Sequence, residues 1–111
     1  IGILIANKLQ IPLVPVRKKG KLPAQTKSYT YDLEYGSATL EIHTEVIKSK
    51  WNVMIHDDLL ATGGTAMAAA ELVKEEGGKI AGFSFITELD FLNGREKLLQ
   101  YSKNIVSVIN Y

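Results

Sequence analysis

The sequence predicts an α/β domain, on three observations. VMI at 53–55 and IAGFSFI at 80–86 are short apolar runs of the kind that form strands buried on both faces of a parallel sheet. Between them, AMAAAELVKEEGG has the highest helix propensity in the chain and closes on a glycine pair suited to a helix C-terminus. Strand, helix, strand in that order implies a parallel pair with a right-handed crossover.

The remaining elements follow in chain order. Residues 3–9 read as the end of a helix, since Ala6, Lys8 and Leu9 favour helix and Pro12 stops it. Residues 13–16 are a short apolar strand. RKKGKLPAQT at 17–26 combines charge with Gly20 and Pro23 and has no periodicity, so it is a loop, and one of this length in a compact domain is functional or mobile. Residues 29–35 and 38–43 alternate with period two around a Tyr35-Gly36-Ser37 turn, which predicts a hairpin. In the central helix, Ala66, Ala69, Leu72 and Val73 fall on one face and Glu71, Lys74 and Glu75 on the other, so the alanines let it lie close to a sheet. A short helix at 94–100 and a last strand at 105–109 complete the chain, with no internal repeat.

Composition sets the broad class. A chain of 111 residues, 46% hydrophobic and 23% charged, builds one core and one domain over residues 1–111. A net charge of +1 gives no global argument for nucleic acid or membrane, so any basic site is a local patch, here Arg17, Lys18, Lys19 and Lys21. The absence of cysteine excludes a disulfide framework, a thiolate nucleophile and a cysteine zinc site, and fits a reducing cytoplasm. His43 and His56 lie outside HExxH spacing and read as strand residues rather than ligands. The opening run IGILIANKLQIPLVPV is broken by Asn7, Lys8 and Gln10, short of the ~20 residues of a membrane helix, and lacks a basic leader. The chain starts at Ile1 with no Met and no capping residue, which predicts an entry in the middle of a fold.

DDLLATGGT at 57–65 joins the carboxyl end of a strand to the amino end of a helix, where ligands bind in open α/β sheets. Unpaired backbone N–H groups and the positive end of the helix dipole meet there, and glycines allow close approach. Thr62 and Thr65 add hydroxyl donors, completing a phosphate cradle. The GK[ST] ending of a nucleotide P-loop and the GxGxxG of a dinucleotide fold are both absent, so a single phosphate is the better ligand. Asp57 and Asp58 would face whatever carries that phosphate. Carboxylates accept hydrogen bonds from hydroxyls and bind hydrated Mg²⁺, so a phosphosugar with a diol fits. Two acids before a Gly-rich turn also occur as a plain helix boundary.

Further motifs decide between these readings. VMIHDDLLATGGT resembles the signature of the type I phosphoribosyltransferases, and VPVRKKGKLP, YDLEYG, LEIH and NGREKL narrow the resemblance to the adenine phosphoribosyltransferases, over nearly all of the chain. That resemblance implies a central, mostly parallel sheet flanked by helices, with a mobile β-hairpin over the active site. It implies purine salvage: transfer of the 5-phosphoribosyl group from phosphoribosyl pyrophosphate to adenine, giving AMP and pyrophosphate, in a cytoplasmic homodimer with no nucleic-acid or membrane partner. Ala61, Thr62, Gly63, Gly64 and Thr65 would hold the 5-phosphate, and Asp57 and Asp58 the ribose hydroxyls. Arg17, Lys18 and Lys21 would meet the pyrophosphate, the Arg being offered across a dimer interface. Mg²⁺ would arrive with the pyrophosphate substrate rather than on direct side-chain ligands. Glu34 matches the catalytic acid, with Tyr35 beside it.

The residues agree with these roles. The basic stretch at 17–21, otherwise a solvated loop, has a purpose against a highly charged leaving group. In that role Glu34 would take the proton the purine loses, or hydrogen-bond its imidazole nitrogen, as an oxocarbenium-like ribose forms, and closure of the hairpin would exclude water. His56 departs from the family, which has an aliphatic residue there more often, and reads as a core variation. The resemblance begins inside a helix, so about the first third of a family member, including the groups that cover adenine, lies outside the match. Two alternatives remain: transfer to hypoxanthine, xanthine or orotate, or a non-catalytic nucleotide-sensing domain. An intact YDLEYG with RKKGK, and no DNA-binding segment, weigh against the sensor.

Overall fold

One alanine-rich helix lies between two three-stranded sheets, an antiparallel sheet and a parallel one. The computed structural model describes residues 2–18, 26–33, 36–44 and 46–111. In chain order these form α1 (Gly2–Leu9), β1 (Arg17–Lys18), β2 (Thr26–Leu33), β3 (Gly36–His43), β4 (Asn52–Leu60), α2 (Gly64–Glu75), β5 (Lys79–Glu88), a 3-10 turn (Asp90–Leu92), α3 (Gly94–Leu98) and β6 (Ile105–Asn110).

The first helix closes on its own backbone. Gln10 turns left-handed at φ 56°, and the Ile11 N–H reaches the Ala6 carbonyl at 3.0 Å. That backbone turn ends α1 before Pro12, the expected stop, is reached. The strand expected at 13–16 does not form, and no described residue pairs with it in a ladder; Val14 and Val16 still pack on the core. Pairing begins two residues later, where β1 joins β3 antiparallel, so Arg17 and Lys18 belong to a strand rather than a loop.

The hairpin is tighter than the sequence suggests. Leu33 pairs with Gly36, which puts Gly36 and Ser37 inside β3 instead of in the turn. The connection is then Glu34 and Tyr35, both outside the described residues. Tyr31, Leu40 and Ile42 point inward from this sheet onto α2.

The parallel sheet has the order β4-β5-β6, so the strand-helix-strand unit joins parallel neighbours as expected. Its strands are longer than their apolar runs, and β4 extends through both acids to Leu60. Burial on both faces, expected for residues 53–55, holds on one face only. Ile55, Phe83, Phe85 and Ile105 share the face covered by α2, while Met54 and Val106 on the other face are 46% and 54% exposed.

The sequence places one face of α2 against a sheet, yet Ala68 and Ala70 are buried along with Ala66, Ala69, Leu72 and Val73. The reason is that α2 touches strands of both sheets and so buries more than one of its faces. The helix ends as its glycine pair suggests. Gly77 adopts φ 88°, and the Gly78 N–H donates to the Val73 carbonyl at 3.0 Å.

Candidate functional site

Strand β4 ends at the buried Leu60, and three residues later Gly63, at φ 91°, turns the chain into α2. The Met67 N–H makes the first helical bond, 2.9 Å to the Gly63 carbonyl, and no side chain caps the helix start. The N–H groups of Gly64, Thr65 and Ala66 therefore sit ahead of the first intrahelical bond, at the positive end of the helix dipole, with no acid in the first turn. They open on a cavity of about 220 Å³ lined by Asp57, Leu59, Leu60 and residues 61–66. Such a wall of amide donors, with the exposed hydroxyls of Thr62 and Thr65, is suited to a tetrahedral anion.

The two acids occupy different positions. Asp57 pairs with Phe85 on the face covered by α2 and so stands at the mouth of this cavity. Asp58, next along the strand, turns to the other face and is exposed; its N–H donates to Asp57 Oδ1 at 2.7 Å. That bond takes up one lone pair of the Asp57 carboxylate and leaves its second oxygen free for a ligand hydroxyl or a metal-bound water. His56, on the same face as Asp58, is half-buried with Nδ1 3.3 Å from Ser84 Oγ.

The basic residues lie apart from the cradle. Arg17 and Lys18 are exposed on β1, opposite Glu41 and Leu40, and neither lines the cavity. Lys21 and Glu34 fall outside the described residues. Among the described residues, no cluster of three or more His, Cys, Asp or Glu is arranged to hold a metal ion, and no helix is long and apolar enough to cross a membrane.

Several contributors escape a reading of motifs. Tyr31 of β2 is buried, and its hydroxyl lies 3.1 Å from Thr65 Oγ1. Period-two alternation in the hairpin was the available signal, since it places Tyr31 on the inward face. Behind the cradle, Gly94 touches the backbone of Gly63, and it is carried there by an ion pair. Arg95 grips the buried Glu88 with two nitrogens, Nε 3.0 Å from Oε2 and Nη2 on Oε1, and donates through Nη1 to the Ile105 carbonyl at 2.8 Å. Ser107 adds a 2.8 Å bond to the same carboxylate. The Arg95 guanidinium, aided by Ser107, holds the Glu88 carboxyl below the usual carboxylate range against the opposing effect of burial. Glu88 in turn raises the Arg95 pKa.

Comparison with known proteins places this geometry. No family model matches the chain. The adenine phosphoribosyltransferase of Cytophaga hutchinsonii is 52% identical over 110 residues, which is 99% of this chain and 61% of that protein. The crystal structure of adenine phosphoribosyltransferase from Thermoanaerobacter pseudethanolicus superposes with a TM-score of 0.94 at 51% identity, covering 99% of this chain and 63% of that one. The Saccharomyces cerevisiae enzyme, solved with an imino-altritol bisphosphate and adenine, gives a TM-score of 0.89 at 43% identity over 96% of this chain and 59% of that one. The chain spans about 60% of the length of the curated relatives it matches. By sequence and by fold, it belongs to the adenine phosphoribosyltransferase family.

Proposed function

We infer that this chain carries the phosphoribosyl-binding part of an enzyme that transfers the 5-phosphoribosyl group from phosphoribosyl pyrophosphate to adenine, releasing AMP and pyrophosphate, in purine salvage. The observation that carries this reading is the uncapped start of α2, with Gly63 left-handed and Asp57 at the mouth of the same cavity. The amides of residues 64–66 and the hydroxyls of Thr62 and Thr65 bind the 5-phosphate. A free oxygen of Asp57 takes a ribose hydroxyl, and Asp58 acts on the sugar from the other side of the strand end. This fixes the anomeric carbon relative to the sheet.

In the reaction the bond from the anomeric carbon to the pyrophosphate oxygen breaks, and a bond to the purine nitrogen forms. Charge develops on the departing pyrophosphate, and Arg17, Lys18 and Lys21 stabilise it there. Glu34, in the YDLEYG motif, takes the proton the purine nitrogen loses. An Mg²⁺ ion bound with the pyrophosphate would supply charge neutralisation there. The Asp57 and Asp58 carboxylates, both accessible, suit contact with its bound waters. The working unit is a cytoplasmic homodimer, in which the exposed β1 edge offers Arg17 to the partner's site.

The test is an assay of the full-length protein with adenine, hypoxanthine, guanine and orotate, each with phosphoribosyl pyrophosphate and Mg²⁺. AMP formation from adenine alone is the expected result. Product from another base instead would reassign the substrate, and product from none would favour a nucleotide sensor.

A further inference from the structure

Tyr31 links two parts of the molecule that motif reading treats separately. Its ring lies against the first residue of α2, such that a Cβ on Gly64 would come within 3.2 Å of Tyr31 Cδ2, and its hydroxyl is 3.1 Å from Thr65 Oγ1. Tyr31 is only 7% exposed, whereas Thr65 opens on the cavity. Either hydroxyl can donate at this distance, and the greater acidity of the phenol favours Tyr31 O–H as donor to Thr65 Oγ1. A Thr65 hydroxyl that accepts this bond keeps its own hydrogen to give to a group in the cavity that Thr65 lines.

We propose that Tyr31 is a positioning residue for 5-phosphate binding: it orients the Thr65 hydroxyl as a donor to the phosphate. This rests on the reading of residues 61–65 as the phosphate site. The role is indirect, since Tyr31 touches Thr65 and Gly64 rather than the ligand. It gains its effect from a hydrogen-bond chain in which each hydroxyl polarises the next.

The experiment is calorimetric titration of the full-length protein with ribose 5-phosphate, in wild type, Tyr31→Phe, Thr65→Ala and the double variant. Tyr31→Phe keeps the ring on Gly64 and removes only the hydroxyl, whose partner is open to water, so the fold persists. The expected result is that Tyr31→Phe weakens binding about fivefold to tenfold. Added to Thr65→Ala, it should weaken binding no further, because its effect passes through Thr65. Thr65→Ser, which keeps the hydroxyl, should restore near-normal affinity and remain sensitive to Tyr31→Phe. In turnover, Tyr31→Phe should raise KM for phosphoribosyl pyrophosphate while KM for adenine stays unchanged, a split that general loosening would not produce. Equal affinity of Tyr31→Phe and wild type, or losses that multiply in the double variant, overturns the proposal. Failure of the wild type to bind ribose 5-phosphate at all overturns the phosphate-site reading, and this inference with it.

Discussion

Gly63 and Gly94 meet backbone to backbone: a Cβ on Gly63 would lie 2.8 Å from the Gly94 carbonyl oxygen, and one on Gly94 would overlap the carbonyl oxygen of Ala61. The loop at 61–63, proposed to hold the 5-phosphate, is therefore backed by the start of α3. Gly63 is also held at φ 91°, where only glycine is unstrained.

Gly94→Ala should cost about 2 kcal/mol or more in stability, because the obstacle is backbone and cannot rotate away. Whatever fold survives should bind ribose 5-phosphate more weakly, since relief of the overlap must push the loop at 61–63 into the cavity. Urea unfolding and calorimetric titration read the two effects. Wild-type stability and affinity in this variant would show that the packing does not shape the cradle.

The Glu88–Arg95 pair holds Gly94 in that position. Arg95→Ala leaves a buried carboxylate without its main partner and should destabilise by roughly 1–3 kcal/mol, below the range for wholly buried pairs because the Arg95 side chain is 38% exposed. The double replacement Glu88→Gln with Arg95→Met should cost less than Arg95→Ala alone, since no charge is then stranded. Urea midpoints of the three proteins decide this, and a double variant worse than Arg95→Ala would contradict it.

The same pair predicts an acid response. The folded Glu88 carboxyl titrates below its unfolded range, chiefly through its bond to Arg95. Its contribution is complete above the ordinary carboxylate value of about 4.3 and is lost as pH falls through the lower folded value. Wild type should therefore lose stability below about pH 4 more steeply than Glu88→Gln. Parallel acid limbs in thermal melts of the two proteins would rule out this linkage.

Glu34→Gln should lower kcat by about 10²–10⁴ while KM for both substrates changes only a few fold, because the amide keeps the shape and loses the base. Steady-state kinetics on the full-length protein measures this, and an unchanged kcat removes the assigned role.

Local pattern was enough for much of the fold. The apolar runs around Ile55 and Phe83 located both central strands, and the glycine pair at 77–78 ended α2 as expected, because propensity and capping act over a few neighbouring residues. DDLLATGGT likewise announced a glycine turn from strand to helix with unpaired amides, since these are local properties. The reading failed where a second segment decides the outcome. Residues 13–16 have strand composition but no ladder partner among the described residues, and Gly36 and Ser37 look like a turn until Leu33 pairs across to Gly36.

The site divides in the same way. By itself, the sequence determined that Asp57 and Asp58 precede a glycine-rich strand-to-helix turn and that Glu34 belongs to YDLEYG, because both facts are matters of residue type and spacing. Tertiary structure decided that Asp57 faces the cavity while Asp58 faces away, that Tyr31 reaches Thr65, and that Gly94 backs the loop, with Glu88 and Arg95 holding it. Each of these depends on strand register and on contact between residues far apart in the chain. Hydrogen bonds and steric fit of that kind exist only once the sheets have closed on α2.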